Sequence, residues 1–133
     1  MGKLSRSAIK SVDINAPLDI VFEFLSDPMN WPQYAVVNLK SVKPAQDDWY
    51  QTVTKFGEGL IKVHAVKQYG ILDHTWRDPK ASWTVPARVV ANQDGSTVMF
   101  TMYQPPVMTD QQFDQAMIEM DIEMTKLKEI LER

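Results

Sequence analysis

The chain has no cysteine, which excludes a disulfide framework, a thiolate nucleophile and any cysteine-ligated metal. It has two histidines, His64 and His74, a poor start for a metal site, and no HExxH pattern, serine elbow or glycine-rich phosphate loop. No metal and no cofactor are therefore expected. No apolar run approaches the roughly 20 residues needed to cross a bilayer. The opening Met1-Gly2-Lys3-Leu4-Ser5-Arg6 lacks the apolar stretch and cleavage site of a secretory leader, and Arg6 stands where myristoylation needs Ser or Thr. A cytoplasmic protein without stable membrane insertion is the expectation. An excess of basic charge is missing as well. Fourteen basic against seventeen acidic residues give a net charge of -3, which argues against nucleic acid as a partner. Lys40, Lys43, Lys55, Lys62 and Lys67 lie close in sequence, but alternation along strands scatters them over a solvated face.

What is present fits one folded domain spanning residues 1–133, with 44% hydrophobic and 23% charged residues. Ser7 to Ile14 reads as a strand with Ile9 and Ile14 out of step. Pro17 and Asp19 suit a helix start, Val21, Phe22, Phe24 and Leu25 form its apolar face, and Asp27-Pro28 stops it. A second short helical turn, Met29 to Tyr34, puts Trp31 and Tyr34 on a shared face. Six strands follow, Val36 to Val42, Asp48 to Phe56, Gly59 to Gln68, Ile71 to Trp76, Ala81 to Ala91 and Thr97 to Gln104. The short turns between them imply an antiparallel meander, with Asp94-Gly95 the clearest hairpin signal. Pro86 cannot donate to a ladder, so its strand is an edge, a bulge or a bend.

The last element is a long amphipathic helix from Asp110 to near Glu132, capped by Thr109 or Asp110. Its stripe is Phe113, Met117, Met120, Met124, Leu127 and Leu131, flanked by Ala116 and Ile130. The methionines read as core filler or as an adaptable apolar wall for a ligand. Ile118 and Ile122 point the other way and suggest contact with the first helices or with a second subunit. A monomer or a homodimer is expected.

The histidines are the ordinary general-base candidates near neutral pH. Parity sets His64 toward solvent and places His74 beside Leu72 and Trp76, a trio suited to facing a cavity. Asp73 then points to the opposite face, so no Asp-His dyad forms within one strand. Arg88 can turn inward to hold a carboxylate or enolate. The favoured alternative is a salt bridge on the outside with Asp73 or Glu58. Tyr50, Tyr103, Trp31, Trp76 and Trp83 combine apolar area with a polar tip, as core, rim or pocket wall.

The block Ala16-Pro17-Leu18-Asp19-Ile20-Val21-Phe22-Glu23-Phe24-Leu25-Ser26-Asp27-Pro28, followed by Trp31-Pro32, resembles the opening of the START-like or SRPBCC superfamily. Ile71 to Trp76, and Val85 to Val90 with Asp94-Gly95-Ser96, look like a small bacterial branch of it. The superfamily includes polyketide cyclase/dehydrase-like proteins and the START and Bet v 1-like ligand binders. The resemblance implies an α+β helix-grip fold: a curved antiparallel sheet of about seven strands gripping a long C-terminal helix, with two short helices after strand 1. It also implies a cavity between sheet and helix that takes a small hydrophobic molecule such as a lipid, quinone or polyketide-like compound. The expected wall comprises Phe24, Trp31, Tyr34, Leu72, His74 and Trp76, with Tyr103, Phe113, Met117, Met120 and Met124. The alternative is a cyclase/dehydratase-like enzyme with His74 as general base and Arg88 or Tyr103 polarising a carbonyl. Catalytic residues stay unknown beyond these candidates, because one fold serves many chemistries.

Overall fold

The computed structural model describes residues 3–133. Strand β1 (Ser7–Ile14) leads into helix α1 (Leu18–Ser26) and a 3-10 helix, Pro28–Gln33. Then come β2 (Leu39–Pro44), β3 (Tyr50–Thr54), β4 (Gly57–Val66), β5 (Ile71–Arg77), β6 (Ser82–Val85), β7 (Ala87–Asn92), β8 (Gly95–Tyr103) and the closing helix α2 (Asp110–Leu131). The sheet runs β1-β8-β7-β5-β4-β3-β2, with β6 beside β5, and every pairing is antiparallel. This is an α+β helix-grip architecture, with the curved sheet wrapped on one long helix.

The sheet has eight strands where about seven were expected, because Pro86 divides the Ala81–Ala91 run. Before it, β6 pairs with β5 from His74 to Arg77; after it, β7 pairs with β8 and touches β5 only at Ile71↔Arg88. The bend helps to curve the sheet. Strand β2 begins three residues later than its apolar pattern suggests. Ala35 N donates to Trp31 O and Leu39 N to Ala35 O, so residues 35–38 are wound into turns rather than laddered.

Alternation decides the rest. Ile14 is 2% exposed, whereas Ile9 is 70% exposed, and Lys10 takes the inner side of β1 to pair with Asp121 of α2 at 3.0 Å. The hairpin at Asn92–Gly95 turns on Gln93, whose φ is +51°. Gly95 serves close approach instead, since a Cβ there would lie 2.7 Å from Ile14 O. Thr109 caps α2 in a reciprocal box with Gln112. Beneath the helix, Val89, Val98 and Phe100 of the sheet join Val21 and Leu25 of α1, Trp31, and Met124 and Leu127 of α2 in one core.

Candidate functional site

The inner face of β5 carries Leu72, His74 and Trp76. Across β6, Val85 opposes His74 and Trp83 opposes Trp76, so period-two alternation brings the two indoles to the same side. They stack with centroids 5.9 Å apart at 30°. Gly59 makes this possible from β4, because a Cβ there would sit 2.3 Å from the Trp76 ring. Trp76 Nε1 donates to Asp78 Oδ2 at 2.8 Å, and Asp78 Oδ1 accepts from Lys80 N at 2.7 Å and Ala81 N at 2.9 Å. These bonds, the one from Trp76 foremost, hold the Asp78 carboxyl below its ordinary range.

The tryptophans form one wall of a groove of about 390 Å³. Pro105, Val107, Met108 and Gln112 of the first turn of α2 also line it, with Asn38, Thr54 and Phe56. Phe56 is 63% exposed and Val107 70% exposed. The groove is open and largely apolar, at the end of the sheet-helix seam where α2 begins.

His74 lies deeper. Its ring is 4.9 Å from Trp31 and 6.2 Å from Phe100, both edge-on. Its Nδ1 is 3.2 Å from Leu72 O; a carbonyl only accepts, so Nδ1 carries the proton and Nε2 keeps a lone pair. Burial pushes the imidazole down to about 4, which keeps it neutral near pH 7. Tyr34 is buried with its ring 6.4 Å from Phe24. Burial, and then the charge of Glu123, raise its hydroxyl above its ordinary value.

The expected wall divides into three groups. Trp31, Tyr34, Leu72, Phe113 and Met124 are buried; Phe24, His74, Trp76, Met117 and Met120 are half-buried; of these, Trp76 lines the groove. Tyr103 does not join them. It sits on the outer side of β8, beyond inward Met102, and is 45% exposed. Arg88 is also outward, opposite Met99. Its Nη2 donates to Tyr69 O at 2.6 Å, so it forms neither an inner carbonyl clamp nor the expected bridge to Asp73 or Glu58. The sheet therefore separates His74 from both proposed electrophilic partners. His64 is exposed against Thr75, and Asp73 faces outward to accept from Ala87 N at 2.8 Å, as parity predicts. Ile118 and Ile122 are 56% and 52% exposed, so neither is buried against the first helices.

Two inner residues escaped the hydrophobic pattern. Glu119 and Glu123 are 9% and 4% exposed, on the i+4 row that ends at fully buried Leu127. That row was the available signal. Glu119 pairs with Lys55 at 2.5 Å. Glu123 Oε2 accepts from Val37 N at 3.1 Å, Asn38 N at 3.0 Å and Asn38 Nδ2 at 3.3 Å. Burial outweighs these donors and raises the Glu123 carboxyl above its ordinary value. This carboxylate fastens residues 37–38 to the middle of α2. Among the described residues no group of three His, Cys, Asp or Glu is placed to hold a metal, and no helix is long and apolar enough to cross a membrane.

No family model and no curated protein matches the chain. Solved structures do. The Aha1 dimer from Colwellia psychrerythraea is similar over 96% of this chain and 96% of its own, with a TM-score of 0.75 at 12% identity. A START superfamily protein from Mycobacterium smegmatis matches over 95% and 97%, with a TM-score of 0.69 at 12% identity. Ara h 8.0201 matches over 96% and 98%, with a TM-score of 0.69 at 9% identity. These likenesses establish the helix-grip fold shared by START and Bet v 1-like proteins. At such identities the fold is what they carry.

Proposed function

We propose that this chain binds a small, largely hydrophobic molecule between its sheet and C-terminal helix, through the groove at Trp76 and Trp83. The groove itself supports the reading: about 390 Å³, walled by a stacked indole pair and flanked by exposed Phe56 and Val107. An exposed apolar concavity of this kind is unfavourable in water and is relieved by an apolar guest. Removing about 200 Å² of apolar surface from water contributes about 5 kcal/mol before ordering costs. A lipid, a quinone and a polyketide-like compound are the candidate classes. We further propose that the protein is a cytoplasmic monomer or homodimer with no stable membrane insertion.

Isothermal titration and tryptophan fluorescence against a panel of these classes test it. Saturable binding that Trp83→Ala weakens by about tenfold or more is expected; silence across the panel refutes it. The cyclase/dehydratase reading keeps one favourable observation, the neutral inward His74 with a free Nε2 lone pair. Arg88 and Tyr103 lie across the sheet, so any electrophilic partner must come from elsewhere. His74→Ala with turnover intact ends that alternative.

A further inference from the structure

Which polar atoms of the groove are already engaged defines the headgroup that it leaves room for. Asp78 presents the one carboxylate on the wall, and its two oxygens already accept from Trp76 Nε1, Lys80 N and Ala81 N. Thr54 Oγ1 donates to Gly57 O at 3.0 Å and accepts from Phe56 N at 3.1 Å. Asn38 Nδ2 is held by Glu123. Gln112 Oε1 accepts from Thr109 N at 2.8 Å in the capping box, which leaves its Nε2 as a donor. Lys80 forms no ion pair among the described residues, and Asp78 feels its charge without binding it. The uncommitted side-chain groups are thus a cation, two neutral donors, Gln112 Nε2 and the Trp83 indole N–H, and one neutral acceptor, Asn38 Oδ1.

We propose that the groove selects a flat aromatic carboxylate: the ring system continues the Trp76–Trp83 stack, and the carboxylate is taken by Lys80 Nζ and Gln112 Nε2. This rests on the binding reading above and narrows it. A third planar ring extends an offset indole stack at little ordering cost. A carboxylate supplies acceptors to two donors, one of them charged. An ammonium headgroup would meet Lys80 with like charge and would find three of the roughly four acceptor positions of Asp78 taken.

The test compares 2-naphthoate, its neutral methyl ester and 2-naphthylmethylamine by calorimetry and tryptophan quenching in low-salt buffer. The acid is expected to bind about tenfold more tightly than the ester, an advantage that shrinks with added salt. Lys80→Met should bring the acid to the ester's affinity while leaving the ester unchanged, and Trp83→Ala should weaken both. Equal binding of acid and ester with Lys80→Met silent, or preference for the amine, overturns the carboxylate assignment while the binding reading stands. Binding of the acid that survives Trp83→Ala overturns the stacking. Binding of none of the three probes overturns this proposal, and silence across the broader panel removes the binding reading as well.

Discussion

His74 makes the protein lose stability on acidification, through a window set by its surroundings. The imidazole is held at about 4, against an ordinary 6.5, because burial disfavours the charged ring. Between those values the unfolded chain takes up a proton that the folded chain refuses. The contribution is therefore fully present above pH 6.5 and is lost as pH falls toward 4. At about 1.36 kcal/mol for each pH unit, the whole window is worth about 3 kcal/mol. Glu123 acts in the opposite sense: its carboxyl is raised by burial, so its contribution falls as pH rises from the ordinary carboxyl value through the raised one. The difference between wild type and His74→Phe isolates the imidazole. Phenylalanine retains the edge-on packing on Trp31, and the variant should lie within about 1.5 kcal/mol of wild type at pH 7. Urea unfolding at half-unit steps from pH 7 to 4.5 gives the two curves. NMR titration of the His74 imidazole follows the protonation directly. A wild-type-minus-variant difference that stays flat across the window, or a His74 resonance with a midpoint near 6.5, refutes the reasoning.

Glu123→Leu removes the acceptor of Val37 N and Asn38 N. It should cost about 2–4 kcal/mol and speed amide exchange at those two residues in particular; unchanged exchange there contradicts the fastening role. Gly59→Ala drives a methyl group into the Trp76 ring, should cost about 1–3 kcal/mol, and should alter the near-ultraviolet circular dichroism of the stacked indoles. An unaltered spectrum would show that Trp76 does not lie over Gly59. Arg88→Ala and Tyr103→Phe change groups on the outer face of the sheet and should leave the affinity for 2-naphthoate or any panel ligand within about twofold. A tenfold loss in either variant would place that residue in the site after all.

Much of this arrangement was legible along the chain. Leu72, His74 and Trp76 share the inner face and Asp73 and His64 do not, because side chains in a regular strand alternate whatever the strand pairs with. Pro86 announced a break, since a residue without an N–H cannot sustain a ladder through the sheet. Arg88 and Tyr103 were harder. Ala87, Val89 and Val90 are apolar on both sides of Arg88, so the local pattern assigns no face, and only the register Arg88↔Met99 with β8 turns it outward. Glu119 and Glu123 carry the residue type least expected under a helix. Their burial depends on Lys55 and on the backbone of residues 37–38, partners far away in sequence.

The sequence by itself determined the kind and order of the main elements, the Thr109 cap, the breaks at Asp27-Pro28 and Pro86, the inward set of β5 and the stripe of α2, because propensity and periodicity act over a few residues. Tertiary structure alone decided that two glutamates take places on the buried side of that helix. It also set Trp83 against Trp76 over Gly59 and kept His74 apart from Arg88 and Tyr103. Those outcomes depend on strand register and on contacts between residues dozens of positions apart, for which local patterning carries no physical signal.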